Sequence, residues 1–409
     1  MKRKFFIVAA VMASMLSFNS AAQNESHIKF YGFIRNYAFV DSKESIGLTG
    51  DVFMYLPKDL EDNNYSYHFT AMTSRFGLDV SGYEYNGYKM GAKIETDFYN
   101  GLTGVSGTAL LRLRQAYLTV AKDNFSLKVG QAWHPMAADM PDIIDLNTGA
   151  PFGPFSRTPL VQVDNKLNDN WSYTASLIWQ MQYTSCGPEG SSANYVKYSG
   201  IPEVYFGINY TNGDFLARLG ANEVTIKPIN KGKFLNETSI FAFLQYKTDK
   251  LTLKAKSTFA QDGSHFNLNG GYALKNTSDF DAFDPTTWSF APTTNSSTWV
   301  SFSYGKKVQF VLFGGYVKNF GVNDKVICKV AQNDTYYFSK NSFKNMNSMY
   351  RLSPQVIFNW GKLAFALEYE NTSVQYGSLN TFDAEAGLYN TDLHWVTNHR
   401  FQSMLKFTF

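Results

Sequence analysis

The sequence predicts an all-β protein, a transmembrane antiparallel β-barrel of about 16 strands, and three observations carry the prediction. Apolar and polar residues alternate with period two along most of the chain; tight turns alternate with long polar segments; and the chain ends on a strand with one apolar face, RFQSMLKFTF. In that last stretch Phe401, Leu405, Phe407 and Phe409 share a face interrupted only by Ser403, while Arg400, Gln402, Lys406 and Thr408 lie opposite, with Met404 the exception. Such a strand stands between two solvents. Chain ends of soluble domains tend to fray instead.

From the N-terminus, Lys2, Arg3 and Lys4 precede an apolar run over 5–16, and the small residues Ser20 and Ala22 follow at signal-peptidase spacing. This reads as a secretory signal over 1–22, leaving 23–409 as one outer-membrane barrel domain, because the run is well short of the ~20 residues a spanning helix needs. Removing the signal takes three of the 37 Lys and Arg and none of the 34 Asp and Glu, so the mature chain balances at 34 against 34. That balance excludes a bulk electrostatic affinity for nucleic acid. Cys186 and Cys328, the only cysteines, lie in loop-like stretches and make no disulfide framework, so their pairing stays open.

No later segment offers ~18 consecutive apolar residues, so no helix is expected to cross a membrane. Yet 17% of the chain is aromatic, with 35 Phe and 26 Tyr, a composition that the interfacial girdles of a membrane barrel would use. Period two is explicit in YKMGAKIETDFY (88–99), where Met90, Ala92, Ile94 and Phe98 oppose Lys89, Lys93, Glu95 and Asp97. It recurs in KLTLKAKSTF (250–259) and LAFALEY (363–369), and a helix of period 3.6 would scatter these residues over all its sides.

Tight turns are expected at 84–87, 122–124, 168–170, 211–214, 248–250, 305–307 and 360–362. Longer segments fall at 41–68, 100–107, 135–159, 182–202, 228–236, 261–296, 321–347 and 377–397. Seven turns and eight loops give fifteen connections and hence about sixteen strands. A soluble multi-sheet protein would not need apolar outward faces on nearly all of them. The apolar last strand then has a reason, since in a closed barrel it pairs with the first, IKFYGFIRNYAFV (28–40).

Four blocks, SRFGLDVSG (74–82), LRLRQAYLTV (111–120), VGQAWHPM (129–136) and PFGPFSRTP (151–159), resemble the DcaP-like branch of the trimeric outer-membrane porins. They lie in the first half of the chain, and their order and spacing carry the resemblance. It implies a sixteen-stranded homotrimeric channel with a third outer loop folded into the pore. It also implies passage of small hydrophilic solutes, with outer-membrane lipid as the surroundings. Outer-membrane barrels resemble one another in ending on an aromatic residue read by the barrel-assembly machinery, and Phe409 matches that. The third loop fits its role on its own chemistry, because Pro135, Pro141, Pro151, Pro154 and Pro159 stiffen it.

No cofactor is implied. His134, Asp139, Asp142 and Asp145 cluster without a metal-ligand spacing and read as an acidic loop face presented to the pore. An enzyme would need a nucleophile with a nearby base, and the chain has six His and no G-x-S-x-G, so no catalytic residue is assigned. Basic residues on strands are the stronger signal. Arg75, Arg112 and Arg114 alternate with apolar neighbours, whereas Arg35 shares its face with Phe33 and Tyr37. With Arg157 at the far end of the third loop, these form a candidate basic wall opposite Asp139 and Asp142, setting a transverse field with mild preference for anionic solutes. The alternative of another class is an adhesin-like barrel with a plugged lumen and partner-binding loops.

Overall fold

The computed structural model describes residues 26–48, 53–60, 64–99, 109–144, 149–327, 337–340, 343–379, 387 and 389–409. Residues 1–22, expected to be a signal segment, as well as Asp145 and Cys328 lie outside them. The wall begins with β1 (His27–Asp41), β2 in two pieces (Ser66–Thr70 and Arg75–Tyr85), β3 (Tyr88–Tyr99), β4 (Leu110–Lys122) and β5 (Phe125–Trp133). It continues with β6 (Arg157–Lys166), β7 (Trp171–Ile178), β8 (Glu203–Asn212), β9 (Phe215–Ile226), β10 (Leu235–Lys247) and β11 (Leu251–Gln261). It ends with β12 (Thr294–Gly305), β13 (Val308–Gly321), β14 (Met346–Trp360), β15 (Leu363–Leu379) and β16 (Asn390–Thr408).

Each strand pairs antiparallel with its neighbours in sequence, and β1 closes the sheet by pairing with both β2 and β16. The closing register sets Phe33 opposite Thr408 and Asp41 opposite Arg400. The Phe409 amide donates to the Gly32 carbonyl at 3.0 Å, and its ring stacks on Phe30 at 5.5 Å, so the C-terminus is held in the ladder. All seven expected tight turns are present. The first uses Asn86 (φ 52°) and Gly87 (φ 78°), the positive-φ pair that a two-residue hairpin with right-handed twist requires.

Outward side chains are apolar and inward ones polar or packed. Ile28, Phe30 and Ile34 on β1, Leu111, Leu113 and Leu118 on β4, and Phe401, Leu405 and Phe407 on β16 are exposed, whereas Met404 points inward and is buried. Exposed aromatics also stand at every tight turn: Tyr85, Phe125, Trp171, Phe215, Tyr246, Tyr304 and Trp360. One rim of the barrel thus carries the aromatic girdle that accounts for part of the Phe and Tyr content.

The long connections are less loose than their polarity suggests. Residues 42–65 contain the hairpin Ser45–Leu48 with Phe53–Pro57, and 179–202 contain a one-turn helix, Asn194–Ser199, ended by Gly200 at φ 69°. The segments after β11 and β13 share a three-stranded sheet of Phe290–Pro292, Gly271–Leu274 and Tyr337–Ser339. The loop expected at 377–397 is shorter, because β15 and β16 continue pairing to Leu379 and Asn390. Above the lipid band a paired strand can be polar on both faces, so polarity alone overestimates that loop.

Candidate functional site in the barrel lumen

Loop 3, described over residues 134–144 and 149–156, leaves β5 and lies inside the barrel. Its attachments follow the wall around. The His134 ring sits 3.0 Å from Glu203 at the start of β8; the Met136 carbonyl accepts from Lys256 of β11 at 2.5 Å; Asp139 binds Arg218 of β9 at 2.8 Å. Asp142 binds Lys254 of β11 at 2.6 Å, and its amide donates to Ser301 of β12. The Ile144 amide donates to Gln355 of β14, and its carbonyl accepts from the Tyr37 hydroxyl of β1 at 2.7 Å.

Beneath the loop the wall is aromatic. Tyr205, Phe241, Phe243, Trp299 and Phe313 form a buried cluster with Met136 and Phe152 of the loop. Phe152 lies so close to Gly315 that a Cβ there would come within 2.5 Å of its ring, so only glycine admits this contact. Arg351 of β14 lies 5.3 Å from the Phe152 ring and pairs with Glu370 at 3.1 Å, both side chains fully buried.

The opposite stretch of wall, β1 to β4, carries Arg35, Arg75, Arg112 and Arg114. Arg112 grips Asp97 with two bonds of 2.8 Å, and Arg114 bridges Glu95 (2.9 Å) and Asp97 (2.6 Å). Arg75 lies 3.6 Å from Glu95. Arg35 points inward, its Nε donating to Thr73 at 3.1 Å and its guanidinium lying over Phe33 and Tyr37, with no carboxylate in ion-pair range among the described residues. The break between the two pieces of β2 faces it, since Ser74 accepts from the Arg35 amide. The group therefore holds four guanidiniums against Glu95 and Asp97. Arg75 and Arg112 keep 23% and 18% of their side chains exposed.

Arg157 differs from the expectation. It is fully buried in a box of Trp133, Phe155 and Tyr183 (4.6, 5.2 and 5.3 Å) and donates to the Tyr183 hydroxyl at 2.7 Å. Asp139 and Asp142 also differ in their partners, because Arg218 and Lys254 take their charge instead of leaving it turned toward the arginine group.

No protein-family model matches the chain, and no curated protein does. Among solved structures it is similar to the outer-membrane channel DcaP of Acinetobacter baumannii, at 19% identity and TM-score 0.68 over 96% of this chain and 99% of that one. It is also similar to the anion-selective porin from Comamonas acidovorans (12%, TM-score 0.56, 94% and 100%) and to OmpT of Vibrio cholerae (11%, 0.54, 95% and 99%). The chain has the porin fold.

Within this porin fold, two cavities flank loop 3. One of about 470 Å³ has Gln115, Lys128, Gln162, Asp164, Asn209 and Arg218 among its lining residues, beside Trp133 and Tyr205. The other, about 350 Å³, lies among Arg112, Phe155, Tyr183, Gln182, Asn267 and Lys340. Lys340 follows the last strand of the loop sheet, and burial lowers its pKa. It was not singled out from the sequence, where it lies amid a long polar segment without periodicity. Glu203 was missed as well: it opens β8 directly after Pro202, fully buried, and anchors the base of loop 3 through His134. An acid at the first inward position of a strand is the only signal it gave.

Proposed function

We propose that the chain is a passive outer-membrane diffusion channel for small hydrophilic solutes, working as a homotrimer and mildly favouring anions. A closed sheet with an apolar outer band and an aromatic rim suits a lipid surround, and conduction needs no covalent chemistry. The observation that carries the reading is the one-sided pairing of the acids of loop 3. Its described acids, Asp139 and Asp142, are neutralised on β9 and β11, so the solute path is bounded on the other side by Arg35, Arg75, Arg112 and Arg114. With Glu95 and Asp97 opposing four arginines, the excess is positive, and Arg stays charged at any workable pH. Arg157 contributes from behind its aromatic box, without touching water. Similar structures include an anion-selective porin and an OmpT in a form described as a trimer.

The test is conductance across a planar bilayer with a salt gradient. Stable open steps whose reversal potential has the anion-favouring sign are expected, with the preference fading as the Debye length falls from ~10 Å at 0.1 M to ~3 Å at 1 M. A barrel that passes no ions is plugged and sinks the channel reading. Ion passage with a cation-favouring sign leaves a channel but removes the role of the arginines.

A further inference from the structure

At the outer ends of β8, β10 and β11, where loop 3 departs and the segment after β11 folds inward, five ionisable side chains meet out of reach of water. They are His134, Glu203, Glu237, Asp262 and His265, each 0–1% exposed. The Oε1 atom of Glu203 gathers the polar side chains around it, while its Oε2 has no hydrogen-bond donor among the described residues. His134 Nδ1 accepts from the Met136 amide at 3.0 Å, so its proton sits on Nε2 and is donated to Glu203 Oε1 at 3.0 Å. Asn222 donates to the same oxygen at 2.9 Å, and His265 Nε2 approaches it to 3.2 Å.

Glu237 and Asp262 are not provided for in this way. A carboxylate oxygen of each and a ring nitrogen of His265 lie within 4.8 Å of one another. Among the described residues no Lys or Arg nitrogen reaches either carboxylate within 4.0 Å, and neither oxygen of Glu237 has a hydrogen-bond donor. Two buried carboxylates side by side cannot both stay ionised without a compensating charge. Asp262 is nonetheless held in place, its oxygens accepting from the Ser264 amide (3.1 Å) and hydroxyl (2.7 Å).

We infer that Glu237, Asp262 and His265 form a binding site for a divalent transition-metal ion of the zinc type. Two carboxylates cancel the charge of a divalent ion, and an imidazole in the set selects zinc over calcium, which prefers oxygen alone. The geometry at His265 supports it. Neither ring nitrogen makes a hydrogen bond, although Nε2 lies 3.2 Å from Glu203, and a metal-bound histidine commonly gives its other ring nitrogen to a carboxylate. Asp262 has the matching support from Ser264. The ion ties the start of the β11–β12 loop to β10 and, through Glu203 and His134, to the root of loop 3.

The probe is Zn²⁺ itself, with Ca²⁺ as the control. Detergent-purified, heat-modifiable protein is stripped with a chelator, loaded with ZnCl₂, dialysed and assayed for metal per chain. The expected result is about one Zn²⁺ per chain, no retained Ca²⁺, and a higher unfolding temperature with zinc. Asp262→Asn with His265→Gln should lower the retained zinc at least tenfold and abolish the zinc-dependent shift. Wild-type protein that stays folded and retains no zinc overturns the proposal, the carboxylates then sharing a proton. Zinc retained equally by the double variant overturns it too, because the ion sits elsewhere.

Discussion

The two halves of the barrel wall use similar inward residues for opposite ends. On β8 to β14 inward cations are spent on the loop or on a neighbouring strand: Arg218 on Asp139, Lys254 on Asp142, Lys256 on the Met136 carbonyl, Arg351 on Glu370 of β15. Aromatic side chains fill the space between them, and loop 3 lies on top. On β1 to β4 the cations compete for Glu95 and Asp97, Arg75 and Arg112 keep part of their side chains exposed, and the residual charge is positive. Charge counts alone would rank the halves as alike. What separates them is a partner that arrives from elsewhere in the chain, so the same residue type is a fastener on one side and a source of field on the other.

The largest expected effect comes from breaking a fastener. Arg351→Met leaves Glu370 in a site with no water and with the more distant Arg400, at 3.9 Å, to offset its charge, and removing one member of a buried ion pair costs about 3 to 5 kcal/mol. Urea unfolding of the protein in vesicles should show a loss of that order. A change below about 1 kcal/mol would mean that water reaches the pair and the wall is not covered there.

Next comes removal of the cover. Deleting residues 137–154 exposes the aromatic floor of Phe241, Phe243 and Trp299 and frees Arg218 and Lys254 from their acids. Single-channel conductance and the size cutoff should both rise. Equal conductance in the deletion variant would show that the loop does not narrow the path.

The open wall is tested by charge reversal. Arg75→Glu with Arg112→Glu moves the four-to-two balance to two guanidiniums against four carboxylates, so the reversal potential should shift toward cations. The shift should be larger in 0.1 M than in 1 M KCl, following the Debye lengths of ~10 and ~3 Å. Identical potentials in variant and wild type would place both arginines off the conducting path.

Much of this was legible in the sequence, and the limit falls at a definite place. Period two assigned Arg75, Arg112 and Arg114 to the inward face, because Leu111 and Leu113 had to face lipid. Phe409 and the 28–40 strand foretold the closure. The pattern says which face a residue occupies but not what stands across the lumen from it. Asp139 meets Arg218 at a separation of 79 residues, and no period connects them. The position of Arg157 at the far end of the third loop places it with the basic wall, whereas Trp133, Phe155 and Tyr183 close around it. A further signal lies in the sequence: TSIFAFLQY (238–246) is apolar on both faces, with Phe241 and Phe243 opposite Ile240 and Leu244. Strands buried on both sides read that way, so this stretch marked the covered wall.

The smallest effect is expected where a fastener is removed together with its partner. Lys254→Met with Asp142→Asn deletes an ion pair of 2.6 Å and changes the net charge of the lumen by nothing. Loop 3 keeps its other holds in this variant, including Asp139 on Arg218 and Ile144 on Gln355. The pair itself is partly exposed, with Asp142 at 35%, so its loss costs little, of the order of the ~0 to 1 kcal/mol of exposed ion pairs. Reversal potential and conductance should both stay at wild-type values, in contrast to the charge reversal on β2 and β4. Asp142→Asn alone should do more, since it releases the Lys254 charge and strengthens the anion preference. Should the paired variant shift selectivity as far as Arg75→Glu with Arg112→Glu does, the covered wall faces the solute as directly as the open one, and the division of labour between the two halves fails.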